Sequence, residues 1–229
     1  MDAGLYIAAQ GMLAEQVRQT QLSNDLSNAS TPGYKPDQAE QQSFDSLLLQ
    51  NTSTGQPIGT LQTGVTIDKV VTDTSPAPLH STGRSLDFGI AGDGYFAVRT
   101  AQGVRYTRDG QFSSNAAGQL VDSQGDPVLS QSGATIPVGA KGTVAGSALG
   151  VFTVSGAAKQ GDNLFSGAAS GRATGIVHSG ELEDSGTDPI QTMTDMIASL
   201  RAYQAGQSAI QAIDQTMQEN ASSTGSLGG

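Results

Sequence analysis

The sequence predicts an α+β chain, with long N- and C-terminal helices paired as a coiled coil and an all-β domain between them. Three observations predict it. Residues 3–28 and residues 187–220 carry apolar side chains at a helical period, and between them the period falls to two with glycine-containing turns recurring.

The first helix is expected from Ala3 to about Asn28, a span without proline whose glycines are Gly4 and Gly11. Leu5, Ala9, Met12, Gln16, Gln19, Ser23 and Leu26 recur at alternating spacings of four and three, with Leu13, Val17 and Leu22 widening the stripe. Ser30-Thr31-Pro32-Gly33 ends it, because proline and glycine both oppose continuation. Thr52 to Gly64, rich in Thr, Gly and Gln, reads as a linker or flexible β-extension. Leu86–Ile90, Tyr95–Arg99, Val104–Thr107 and Gln119–Val121 read as short strands. They are punctuated by Asp93-Gly94, Gln102-Gly103, Asp109-Gly110, Ala117-Gly118 and Gln124-Gly125. Asp-Gly between alternating runs predicts type I′ hairpins, at Asp93-Gly94 above all. The last helix opens at Thr187-Asp188-Pro189, an N-cap candidate followed by proline in the first turn.

Neither stripe can be buried alone, so the two helices, each roughly 40 to 50 Å long at about 1.5 Å per residue, are expected to pair antiparallel. Leu5, Met12, Leu22 and Leu26 on the first helix, with Met193, Met196, Ile197, Leu200, Tyr203, Ile210 and Met217 on the second, form the expected assembly interface. Gln16, Gln19, Ser23, Gln207 and Asp214 take core-like places, and Gly206 costs about 1 kcal/mol against alanine. Such a seam is weak, and neighbouring subunits are expected to order it.

Composition excludes several classes of function. Eleven Lys and Arg against 21 Asp and Glu leave a net charge of -10, without the basic footprint that neutralises phosphates, so no nucleic-acid partner is expected. Charged residues are 14% of the chain against roughly 25% in soluble domains, so the surface is polar without being ionic. The absence of cysteine removes disulfides, thiolate catalysis and Cys-based metal sites. The N-terminal Met-Asp-Ala-Gly-Leu-Tyr-Ile lacks a basic region and a long apolar run, so a cleaved signal peptide is not expected. Membrane insertion is not expected either: no run of about 18 apolar residues occurs, and each terminal helix carries a single cation, Arg18 or Arg201.

Candidate chemistry is thin. Gly92-Asp93-Gly94-Tyr95-Phe96-Ala97 spells G-x-G-x-x-A, but a strand former follows where a dinucleotide site needs a helix N-terminus. His80 and His178 have no partner at a metal-ligand spacing and read as polar loop residues, and no G-x-S-x-G elbow occurs. Glu181, Glu183 and Asp184 read as solvated carboxylates rather than a glycosidase pair. No catalytic, cofactor or metal site is therefore assigned, and an enzyme is not expected.

Several stretches resemble a known family. Gly4-Leu5-Tyr6-Ile7-Ala8-Ala9-Gln10-Gly11-Met12 and Leu22-Ser23-Asn24-Asp25-Leu26-Ser27-Asn28-Ala29-Ser30-Thr31-Pro32-Gly33-Tyr34-Lys35 are similar to the N-terminal signature of flagellar basal-body rod and hook proteins. Gly92–Phe96, Tyr106–Phe112 and Gly161–Phe165 resemble that family's β-domain motifs. Asp188-Pro189-Ile190, Met193–Ile197 and Arg201-Ala202-Tyr203-Gln204-Ala205 resemble its C-terminal helix, with Gln204 and Gly206 where the family more often has Glu and Asn. The resemblance implies a subunit exported through the flagellar type III apparatus and assembled helically with itself and other axial subunits of rod and hook. It implies terminal helices around the export channel and a β-domain outside. The implied organisation is a helical polymerisation domain of residues 1–35 with 185–229, a linker or β-extension over 36–72, and a β-rich outer domain over 73–184. The chain is short for a hook subunit, which favours the rod, in a proximal or distal position. The competing reading is a secreted carbohydrate-active or adhesive β-domain on a helical oligomerisation stalk.

Overall fold

Local sequence signals mark both ends of the chain in the computed structural model, which describes residues 2–43, 46–50, 57–62, 65–161 and 163–225. Helix α1 runs Asp2–Ser27 and stops before the Pro32-Gly33 turn, while α2 runs Pro189–Gly225 from the predicted proline start. The chain is thus α+β, with a helix at each end and strands between. It divides into two compact units. One holds residues 1–26, 37–71 and 189–229, and the other holds 27–36 and 72–188.

In the helical unit, strands occupy part of the stretch read as a linker or β-extension. β1 (Asp37–Ser43) pairs with β4 (Val65–Thr72), and β2 (Ser46–Gln50) pairs antiparallel with β3 (Pro57–Gln62). Of the Thr52–Gly64 expectation, residues 52–56, 63 and 64 lie outside the described residues.

The helices of this unit touch in antiparallel order. A Cβ on Gly4 would lie 3.6 Å from Ile213 Cδ1, one on Gly206 would lie 2.8 Å from Met12 Cγ, and Ser199 Oγ donates to Glu15 O at 3.3 Å. The contact line on α2 runs through Thr192, Met196, Ser199, Tyr203, Gly206, Ile210, Ile213 and Met217, all buried or half-buried. On α1 the contacts fall at Gly4, Ala8, Met12 and Glu15. Of the expected seam, Met12 meets α2, whereas Gln16, Ser23, Gln207 and Asp214 are exposed, and only Gln19 of the five polar residues is half-buried. The close approach requires a glycine at Gly206, where a Cβ would crowd the Met12 side chain.

The β unit is organised around β7 (Tyr95–Thr100). It pairs with β8 (Gly103–Thr107), with β12 (Val151–Gln160) and with β11 (Val128–Leu129), while β13 (Leu164–Arg172) joins β12 to β8 and closes the circuit. Both faces of β7 are buried. Phe96 and Val98 enter one cluster with Phe88, Ile90, Phe112 and Leu120, and Tyr95 and Ala97 enter the other with Tyr106, Leu129 and Phe165. Smaller ladders join β5 (Leu79–Ser81) to β15 (Glu181–Glu183), β6 (Phe88–Ala91) to β14 (Ile176–Ser179), and β9 (Ser113–Ser114) to β10 (Leu120–Val121).

Two turn predictions are corrected. Asp93-Gly94 and Asp109-Gly110 do not close hairpins, because β6 pairs with β14 rather than β7, and β9 pairs with β10 rather than β8. Asp93 does not have positive φ, as a type I′ turn would require. Gly94 has φ +133°, and a Cβ there would lie 2.4 Å from Val151 Cγ1. The glycine is set by a close approach of strands. After it, Tyr95-Phe96-Ala97-Val98 continues as strand, so no helix N-terminus follows Gly92-Asp93-Gly94.

Candidate assembly surface

The helical unit leaves several large apolar side chains exposed. On α2, Ile190, Met193, Ile197 and Leu200 follow one another at spacings of three and four, and are 79%, 51%, 54% and 42% exposed. The same line continues through Gln204, Gln207 and Gln211, also exposed, so the ridge is apolar in its first half and polar beyond. On α1, Tyr6, Leu13 and Val17 are exposed along a similar line. Of the residues expected at the interface, Met193, Ile197 and Leu200 stand on this outward ridge. Met196, Tyr203, Ile210 and Met217 lie on the line facing α1, and Leu5, Met12, Leu22 and Leu26 are half-buried on α1.

In the β unit, the segment after α1 is held by a buried ionic cluster. Lys35 Nζ donates to Glu183 Oε1 at 2.7 Å and to Ser75 O at 2.6 Å, and Ala77 N donates to the same carboxylate oxygen at 2.8 Å. Arg108 Nη1 donates to Glu183 Oε2 at 3.2 Å while its guanidinium lies over the Tyr95 ring, 5.2 Å from the centroid. Lys159 Nζ donates to Lys35 O at 2.7 Å and lies 4.1 Å from the Tyr34 ring centroid. Gly33 N donates to Glu183 O, and Gly186 N to Tyr34 O. Burying charge is tolerable here because each carboxylate oxygen has a donor.

This cluster corrects the reading of Glu183 as a solvated carboxylate, since its side chain is fully buried. A signal was present in the Glu181-Leu182-Glu183 alternation, but the partners are 148 and 75 residues away. The histidines stand on strands rather than loops, His80 2.5 Å from Asp184 Oδ1 and His178 3.6 Å from Glu181 Oε2. Nearby, burial raises the Asp109 carboxyl above its ordinary range, against hydrogen bonds from Gln111 and Asn163 that lower it. Among the described residues no group of three or more His, Cys, Asp and Glu side chains could hold a metal ion, and no helix is long and apolar enough to cross a membrane.

Three family models match along the chain. Residues 5–35 match the flagella basal body rod protein model, 89–154 the flagellar hook protein FlgE/F/G D1 domain, and 178–224 the flagellar basal body rod FlgEFG protein C-terminal model. The flagellar basal-body rod protein FlgG of Bacillus subtilis is 31% identical, over 96% of this chain and 98% of its own length. The rod protein FlgF of Caulobacter vibrioides is 31% identical over 90% of this chain and 91% of its own, and the hook-basal body complex protein FlhO of Bacillus subtilis 28% identical over 99% and 100%. Nothing in these matches supports the carbohydrate-active alternative. With similarity at this level along nearly its whole length, the chain belongs to the flagellar basal-body rod protein family.

Proposed function

We propose that the chain is a structural subunit of the flagellar basal-body rod, located in the basal body and assembled with copies of itself and other axial subunits of rod and hook. Family membership supports the rod role. The observation that carries the assembly mechanism is the exposed ridge of Ile190, Met193, Ile197 and Leu200, an apolar line at helical spacing that a lone subunit leaves in water.

In this reading α1 and α2 pair as an antiparallel coiled coil, and the heptad spacing of Thr192, Met196, Ser199, Tyr203, Gly206, Ile210, Ile213 and Met217 supports it. Residues 1–35 with 185–229 form the polymerisation domain, 36–72 a linker or β-extension, and 73–184 the outer domain. Helical polymerisation buries Leu5, Met12, Leu22, Leu26, Met193, Met196, Ile197, Leu200, Tyr203, Ile210 and Met217 within or between subunits, around the export channel. The chain reaches that place through the flagellar export apparatus, a route compatible with a sequence free of cysteine.

Purified hook-basal bodies from cells expressing a tagged chain test the proposal. Mass spectrometry and immunogold labelling are expected to find the chain in the rod, and its absence from basal bodies of motile cells sinks the reading.

A further inference from the structure

We propose that a groove between α1 and α2 receives the Ile197–Arg201 ridge of a second copy of this chain, with the incoming Arg201 guanidinium pairing with Glu15. The proposal rests on the rod-subunit reading above and names the contact by which copies join.

The groove has a volume of about 400 Å³, and apart from Met12 and Glu15 its lining is of alanine and glycine, among them Ala8, Gly11, Ala202 and Ala205. Glu15 stands in its wall, and its Oε2 is buried without a hydrogen-bond partner. A buried carboxylate oxygen without a donor is costly, so an occupant that brings a donor is favoured over a purely apolar one.

The two helices carry two cations, Arg18 and Arg201. Arg18, three residues beyond Glu15, leaves Oε2 unbonded. Arg201 is exposed, four residues after Ile197 and next to Leu200. It therefore combines a guanidinium with an apolar ridge, the complement of a carboxylate in an apolar groove. Within one chain the pairing is disfavoured, because Ser199 faces Glu15 and Arg201, two residues on, points to the opposite side of α2.

Ridge and groove occupy different faces of the same helix pair. A contact that joins one face to a different face of the next copy is heterologous, and repeated without closure it generates a helical filament. A two-fold dimer would not use the surfaces in this way.

Charge reversal and cross-linking test the contact in cells whose basal bodies contain the wild-type chain. Arg201→Glu and Glu15→Arg are each expected to reduce incorporation about tenfold or more, as for a broken buried charge pair, and the double variant to restore it. Cross-linking is clean because the chain has no cysteine, and Gly11→Cys has open space, with nothing within 4 Å of its Cβ. Gly11→Cys with Ile197→Cys is expected to give disulfide-linked dimers and longer ladders on oxidation of assembled rods, and neither single variant to do so. Wild-type incorporation by Arg201→Glu, failure of the double reversal to rescue, or a bond confined to one chain overturns the docking proposal while leaving the rod reading intact. Absence of the wild-type chain from basal bodies overturns both.

Discussion

Gly94 and Lys35 show how single residues carry this fold. Gly94 combines φ +133° with a close approach that leaves no room for a Cβ beside Val151 and Ala173. Gly94→Val is expected to destabilise the β unit by roughly 1 to 3 kcal/mol through strain and overpacking. Urea unfolding of the full chain measures it, and an unchanged midpoint refutes the close-approach account. Lys35 is fully buried and neutralises Glu183 together with Arg108. Lys35→Met leaves Glu183 with one cation, and a loss of about 3 kcal/mol is expected, at the lower end for a broken buried pair because Arg108 remains. Adding Glu183→Met removes the stranded charge, so the double variant is expected to lose less than the sum of the singles. Additive losses in such a cycle mean that the two side chains are not coupled.

Helices and strands hold their places for different reasons. The β strands and the loops beside them bury Phe88, Phe96, Phe112 and Phe165 almost completely. The helix pair meets through Met12, Ser199, Gly206 and Ile213, while other large apolar side chains such as Ile190, Ile197 and Leu13 face outward. Isolated helices are marginal in water unless packing supports them. In dilute monomer both helices are therefore expected to be largely disordered while residues 73–180 stay folded. Backbone NMR reads this directly: narrow random-coil signals from residues 5–26 support it, and dispersed helical signals from those residues in a verified monomer defeat it.

For the whole molecule, assembly and folding are expected to come apart. Leu200 is 42% exposed, so Leu200→Asp removes little packing within the chain. Burial of that leucine between subunits would be worth about 2 to 5 kcal/mol, lost again at each repeat of the lattice. Leu200→Asp is expected to leave the melting of the β unit unchanged and to abolish rod incorporation and motility, while Gln218→Ala, on an exposed position, assembles normally. Wild-type swimming by the Leu200→Asp strain removes the ridge from the assembly mechanism.

The α+β class and the two terminal helices are legible in the order of residues, because helical period, the Pro32-Gly33 stop and the Pro189 start are local signals. The family signatures at both ends and in the middle are legible in the same way. Which apolar stripe meets the partner helix is not, since Met196, Tyr203 and Met217 are half-buried while the equally apolar Met193, Ile197 and Leu200 face outward. Nor does an Asp-Gly pair tell which strands will pair: the signal at Asp93-Gly94 and Asp109-Gly110 is local, whereas the strands they join find partners elsewhere in the chain. The burial of Glu183 belongs with these, because its charge is visible in the sequence, but Lys35 and Arg108 reach it only when distant segments come together.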